Sequence, residues 1–471
     1  MARLIITSNI PESIFSSLAI IIDSANRRRI KLPSRQACYS HQHKKKRQGG
    51  TVASMRVLML SWEYPPKTVG GLAQHVYDLN SALNREGIEV HLLTCSAPGA
   101  PDYEVQGNIH IYRVQPFQVS APDFTTWVLQ FNCALLERAL SLFEAVGNFR
   151  LVHAHDWLVA FAARALKHAR RLPLVVTIHA TEFGRHNGLH NPTQNYISNV
   201  EWWLTYEAWK VIVCSWYMEA ELKHIFQLPS DKIVIIPNGV VPENFAPPQN
   251  TRLRRDFYAA PTEKIVFYVG RLVREKGVQV LLEAVPRILS RMPSVKFIIG
   301  GKGPYEGELR ALASNLGIAS RVYFTGYVDD EVRNALYHWA DVAVFPSLYE
   351  PFGIVVLEAM AARTPVIASD TGGISEIIEH GVDGLKVPPG DSGALAGSIL
   401  AVLSDPARAK LLQERAYRKI RQQYDWQKVA RDTIAVYREV WKARQEAPWP
   451  AREDRPGRIL GRVYQLFDRY S

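Results

Sequence analysis

Short, wholly apolar runs alternate with amphipathic helical runs along this chain, and the alternation starts twice. From Arg56, RVLMLS is followed by GGLAQHVYDLNSALNREG, whose apolar positions recur at helical spacing and which closes on a glycine. EVHLLTC, IHIYRV, a helical stretch around Trp127–Val146, LVHAHD, FAARALKHAR, LPLVVTIHA, KVIVCS and KIVIIPNG continue the pattern. NGVVPENFAPPQN, rich in Pro, Asn and Gly, reads as a linker. After it the alternation restarts with KIVFYVG, GVQVLLEAVPRILSRM, VKFIIGG, ELRALASNLG, RVYFTGY, DDEVRNALYHWA, DVAVFPS, PVIAS and DGLKV. A strand with no polar face needs cover on both sides, and a parallel sheet between two helical layers provides it. The pattern therefore predicts two α/β domains, residues 55–240 and 241–424, with a cleft between them. Ligands of such sheets bind beyond the carboxyl ends of the strands. DWQKVARDTIAVYREVWKA supplies one more amphipathic helix, expected to cross back to the first domain over 425–442.

A length of 471 residues exceeds one ordinary core. Apolar residues at 47% and charged residues at 21% exclude disorder over most of it. The net charge of +11 invites a nucleic-acid partner, but it sits at the ends. Residues 1–54 carry ten Lys or Arg against two acids, residues 443–471 carry six Arg against four acids, and the body holds only +1. With no recognition motif either, nucleic acid is not an expected partner. Residues 1–54, with RRRIK and HKKKR, are expected to be an unstructured basic extension, with MRVLMLSWEYPP opening the folded part. The run LAIII is followed by arginines rather than a cleavage site, and it falls far below the ~20 residues that span a bilayer. Cys38, Cys95, Cys133 and Cys214 are scattered without metal or redox spacing, which fits free thiols in a reducing cytoplasm.

Chemistry concentrates in a few loops. SLYEPFGIVVLEAM places Glu350 before Pro351-Phe352-Gly353 and Glu358 inside an apolar run. Because DVAVFPS is a buried strand, SLYEPFG is the loop at its carboxyl end, and Pro351 suits the first turn of the following helix. Glu350 then faces the cleft, and Glu358 lies two turns into the helix. A lone glutamate there costs several kcal/mol unless an arginine, a backbone amide or a ligand answers it. GRLVREKG supplies Arg271 and Lys276 beside Gly270, a cation pair with close backbone approach, although such a turn alone is also a solvated surface loop. Gly70-Gly71 precede a helix, whose free amides and dipole attract anions. In HAHDW, His153 and His155 share a strand face, and spacing offers no third metal ligand.

Taken in order, GGLAQHVYDL, HAHDW, GRLVREKG, EPFGIVVLE and TGGISEII resemble the motif string of retaining, nucleotide-sugar-dependent glycosyltransferases of family four, over roughly residues 55–442. That resemblance implies the GT-B fold, two Rossmann-like domains with the acceptor on the first and the donor on the second. It implies a metal-independent hexosyltransferase without cofactor, in which Arg271 and Lys276 meet the donor diphosphate. Glu350 and the amides of Phe352, Gly353 and Ile354 would contact sugar or phosphate, and Glu358 would hold the ribose. His155 would bind the sugar near its primary hydroxyl. Gly70, Gly71, Gly270, Gly372 and Gly373 would line the donor, with Asp156 and His179 as further candidates. The implied mechanism is front-face substitution through an oxocarbenium-like state with retention.

SWEYPPKTVGGL, HAHDWLVAF and TIHATEFGRHNGLHN look closest to bacterial α-1,4-glucosyltransferases of the glycogen synthase and methylglucose-polysaccharide type. ADP-glucose or UDP-glucose is then the leading donor and a glycan the acceptor. WEYPP departs from the lysine-first loop of the main glycogen synthases, so GDP-mannose and UDP-GlcNAc stay open. In EWWLTYEAW, Trp202, Trp203 and Trp209 are expected in the core ahead of a sugar-stacking role. GRILGRVYQLFDRY places Ile459, Leu460, Val463, Tyr464, Phe467 and Tyr470 on one helical face. It suits packing on the body, or an anionic membrane surface and a lipid-linked acceptor at the inner face. A GT-B-fold sugar-nucleotide epimerase is the remaining alternative.

Overall fold

The structure, a computed structural model, describes residues 55–117, 119–247, 253–447 and 449. The basic extension over 1–54 lies outside them, as does the tail expected over 443–471 except for 443–447 and 449. The first sheet takes β1 (Arg56–Leu60), β2 (Glu89–Cys95), β3 (Tyr103–Gln106), β4 (Ile109–Val114), β5 (Leu151–His155), β6 (Leu174–Ile178), β7 (Lys210–Val213) and β8 (Ile233–Ile235) in the order β3-β4-β2-β1-β5-β6-β7-β8. The second takes β9 (Lys264–Val269), β10 (Val295–Gly300), β11 (Val322–Gly326), β12 (Val342–Phe345), β13 (Val366–Ser369) and β14 (Leu385–Val387) in the order β11-β10-β9-β12-β13-β14. Every pairing is parallel except β3 on β4.

The strands are the apolar runs of the sequence. Val57–Leu60, Leu151–Ala154 and Ile265–Phe267 are fully buried, as sheets covered on both faces require. β3 is the exception. YEVQ has an exposed-intermediate alternation and pairs antiparallel at the sheet edge, so it carries no apolar run by which to read it.

Strand order reverses once in each sheet. β1 lies between β2 and β5, and β9 lies between β10 and β12. Beside the reversal, adjacent crossovers leave on opposite faces and open a crevice beyond the strand ends. Those crevices hold the loops after β1, β5, β9 and β12, which are the Gly70-Gly71, HAHDW, GRLVREKG and SLYEPFG segments.

The helix Trp426–Glu446 lies on the first domain. Its Trp426, Val429, Ala430, Ile434 and Tyr437 share a core with Val57, Met59, Leu72 and Val76. Where it begins, Gly239 packs against the Trp426 ring, and Val240 N–H is donated to the Tyr424 carbonyl at 2.9 Å.

Trp202 corrects an expectation. On the helix Pro192–Glu207 the buried stripe runs through Ile197, Val200, Glu201 and Leu204, which leaves Trp202 40% and Tyr206 65% exposed, stacked at 5.7 Å. Trp203 is half-buried against Phe161 and Arg164, and Trp209 is half-buried beside Trp449. Cys95, Cys133 and Cys214 are free thiols.

Candidate functional site

The two crevices face each other. A β-carbon on Gly70 would stand 3.9 Å from Arg271 Nε, and one on Gly71 would stand 3.2 Å from Cδ1 of Ile354. The start of the helix Gly71–Arg85 thus opposes both the cationic loop after β9 and the start of the helix Ile354–Ala361.

In the second domain, Lys276 Nζ lies 2.6 Å from Glu350 Oε2, with side chains only 19% and 10% exposed. Ser347 Oγ adds a longer contact to the same oxygen at 3.4 Å. The two groups expected to meet separate parts of a donor therefore hold each other. Arg271 is freer: its side chain is 43% exposed and its acidic neighbour, Glu275, stands at 3.7 Å.

Backbone fit shapes this wall. Gly277 has φ +71°, and a β-carbon there would overlap the Pro346 carbonyl, so the Lys276 turn and the Glu350 loop interlock as backbones. Gly372 has φ +53° and would overlap the Glu350 carbonyl, while Gly373 N–H is donated to that carbonyl at 2.9 Å. Both glycines hold the Glu350 loop from behind. Phe352 is buried beneath it, and Gly353 starts the next helix at φ +104°. Among the described residues no acceptor is paired with the N–H groups of Gly353 or Ile354.

Glu358 is 7% exposed. It accepts from the Tyr337 hydroxyl at 3.2 Å and faces Arg333 Nε at 3.7 Å. Burial pushes its carboxyl up, and Arg333 opposes the shift. Asp78, reaching from the first domain, is pushed up to about 6 by burial, with Glu358 adding to the shift. Arginine and tyrosine thus answer part of the cost that sequence assigned to a buried glutamate.

On the first domain, the amide of Gly70 is not free. Glu63 Oε2 accepts from Val69 N–H at 2.7 Å and from Gly70 N–H at 3.1 Å. This corrects the expectation that both glycines of the pair present open amides. Burial raises Glu63 to about 7 despite those two bonds. No spacing rule pointed to Glu63, which the turn Tyr64–Lys67 folds back onto its own loop.

His155 ends β5 with no exposed surface. Its Nδ1 lies 3.2 Å from Nε2 of His179, and its Nε2 has no partner among the described residues. His153 is structural, with Nδ1 against the Tyr437 hydroxyl at 2.7 Å and Nε2 against Thr177 Oγ1 at 2.8 Å. Asp156 takes φ +58°, unusual for a residue with a β-carbon, and accepts the His179 N–H at 2.8 Å. Burial raises Asp156 to about 6, with Arg185 opposing. His75, from the Gly71–Arg85 helix, sits against His179 with ring centroids 4.5 Å apart. It joins the histidine cluster across sequence distance, so spacing within HAHDW could not reveal it.

The domains also touch beside the crevice. Glu376 accepts from Trp216 N–H at 3.0 Å and Tyr217 N–H at 2.8 Å, at the start of the helix Trp216–Phe226. Ser215 Oγ donates to the Pro351 carbonyl at 2.7 Å, and the Tyr349 hydroxyl donates to Glu221 at 3.0 Å. A β-carbon on Gly184 would overlap the Tyr349 ring.

Two Rossmann-like domains with facing switch-point crevices, one lined with cations and carboxylates and the other with buried histidines, define the GT-B class. Residues 249–419 match the family described as glycosyl transferases group 1, and residues 69–244 match glycosyltransferase family 4. The chain belongs to this glycosyltransferase family. It is 38% identical over 388 residues to an uncharacterized glycosyltransferase of Methanocaldococcus jannaschii, covering 82% of this chain and 98% of that one. It is 37% identical over 398 residues to a glycogen synthase of Mycobacterium tuberculosis, covering 81% and 94%. A sucrose-phosphate synthase structure from Thermosynechococcus elongatus superposes with a TM-score of 0.72 at 28% identity, covering 83% of this chain and all of that one. Among the described residues no helix is long and apolar enough to cross a membrane.

Proposed function

We propose that this chain is a retaining glucosyltransferase that moves glucose from ADP-glucose or UDP-glucose to an α-1,4-glucan. Arg271 and Lys276 take the diphosphate, and the amides at Gly353 and Ile354 add donors that need no reorganisation. Glu350 changes partner as donor enters, giving up part of its bond to Lys276 and accepting from sugar hydroxyls. Glu358 accepts from the ribose. His155 faces the hexose with its unpaired Nε2. The leaving phosphate, held on the front face, takes the acceptor proton as the new bond forms on the same side.

The observation that carries this reading is the meeting of Arg271, Lys276 and Glu350 with the Gly70-Gly71 turn, where both strand orders reverse. The similarity to a glycogen synthase favours glucose and a glucan.

The test has two steps. Thermal shift against ADP-, UDP- and GDP-sugars identifies the donor, since binding to the native state alone raises the melting temperature. That donor is then incubated with glycogen and with no acceptor, and products are read by NMR. New α-1,4 linkages on glycogen support the proposal. Conversion of donor in the absence of acceptor marks an epimerase instead, and a β-linkage removes retention.

A further inference from the structure

Three imidazoles from three separate elements meet on the floor of the first domain's crevice. His75 lies in the Gly71–Arg85 helix, His155 ends β5, and His179 follows β6. Each can offer one ring nitrogen so that all three lie within 4.8 Å of one another. His75 is 5% exposed and His155 0%, and Nε2 of each lacks a hydrogen-bond partner among the described residues. Asn238 Oδ1 accepts from Nδ1 of His75 at 2.6 Å, which fixes that tautomer and leaves Nε2 with a bare lone pair. Burial pushes all three imidazoles down from their ordinary value, and for His179, where Arg185 adds to burial, to about 3. His153 stands apart because both its nitrogens are engaged.

The buried lone pair on His75 Nε2 has no donor and calls for a partner, and three converging imidazoles form a donor set that a borderline-soft divalent cation accepts. We propose that His75, His155 and His179 bind one zinc-class divalent cation, with the fourth position open to the crevice. Tetrahedral coordination at 2.0–2.1 Å sets nitrogens about 3.4 Å apart. His155 Nδ1 and His179 Nε2 already stand at 3.2 Å, so these two nitrogens would share the cation while His155 Nε2 stays outside the coordination sphere, and the adjustment falls on His75. Resting on the function proposed above, the cation has a consequence for transfer. A double positive charge on the imidazole that faces the hexose opposes the oxocarbenium-like state, so the site is inhibitory rather than catalytic.

The test uses full-length chain freed of metal by chelation, then titrated with Co2+ in the absence of any sugar. One Co2+ per chain with the intense visible d–d bands of a tetrahedral site, displaced by Zn2+, is expected. His75→Gln and His179→Gln each weaken binding at least tenfold. X-ray absorption of the zinc-loaded parent, which needs no variant, shows three imidazole scatterers. Absent d–d bands, fewer than three imidazoles, or binding by both variants as tight as the parent's overturns the site. Undiminished binding by the variants would point instead to Glu89, His91 and His110 at the sheet edge, where Arg56 already engages both Glu89 oxygens. Because the metal is read optically, a failed glucosyltransferase reading leaves this outcome untouched. Zn2+ inhibiting transfer at least tenfold less in His75→Gln than in the parent supports the inhibitory role, and equal inhibition removes it.

Discussion

Replacing Lys276 with Met removes a cation while keeping most of its stem, and it leaves Glu350 alone in its pocket. The charges lie 2.6 Å apart with side chains 19% and 10% exposed. At an effective dielectric of about 20 that separation corresponds to roughly 6 kcal/mol of attraction. Desolvation of both groups cancels much of it, and stripping one partner from a buried pair typically costs about 3–5 kcal/mol. Ser347 Oγ remains near Glu350 and some water reaches the site, so we expect the low end, about 3 kcal/mol. Lys276→Met/Glu350→Gln removes the orphaned charge and should recover about 2 kcal/mol of that loss. Transfer behaves otherwise. Each side chain has its own task on the donor, so Lys276→Met, Glu350→Gln and the double each lose about 100-fold or more. Urea unfolding by tryptophan fluorescence measures the first quantity, and transfer from the identified donor measures the second. A Lys276→Met chain that loses under about 1 kcal/mol contradicts the energetic reasoning. A double variant that regains full transfer reduces the pair to a structural bridge.

Three further outcomes are expected. Gly372→Ala forces a β-carbon into the Glu350 carbonyl at φ +53°, so unfolding free energy should fall by about 2 kcal/mol or more; unchanged urea midpoints would show that the loop yields freely. Glu376→Ala strips two amides at the start of the Trp216–Phe226 helix. Because these bonds are solvent-exposed, a loss of about 1 kcal/mol, roughly fivefold in the contact equilibrium, is expected; small-angle scattering should report a larger radius of gyration, and an identical profile rules the contact out as a latch. Burial works to raise the Glu207 carboxyl, but bonds from His168, Lys167 and Arg164 outweigh it and hold it far below 4.5. A depressed acid contributes stability that is present above its unfolded value and is lost as pH falls through the folded one. Glu207→Gln should therefore lower stability at pH 7 and flatten its decline below about pH 4.5; parallel curves for parent and variant would contradict the assigned shift.

Much of the architecture was legible because it is local. An apolar run of five residues is a buried strand wherever it lies in the sheet, and the loops after four such runs carried the glycines, cations and carboxylates. β3 escaped because an edge strand needs no apolar face, and Trp202 was misplaced because near-helical spacing says which residues share a face without saying which face is covered. Glu63 shows the limit within the site itself. SWEYPPKTVGG contains both the acid and the glycine pair, yet only the folded turn reveals that Glu63 takes the Gly70 amide.

The sequence by itself determined two covered parallel sheets, the switch loops between them and the residue types those loops carry. Only the tertiary structure decided that Lys276 pairs with Glu350, that Glu376 caps a helix of the other domain, and that His75 joins His155 and His179. The physical reason is that spacing along a chain reports what one element does with its own side chains. Which distant side chains meet it depends on strand order, and β1 beside β5 and β9 beside β12 are neighbours that no local pattern encodes.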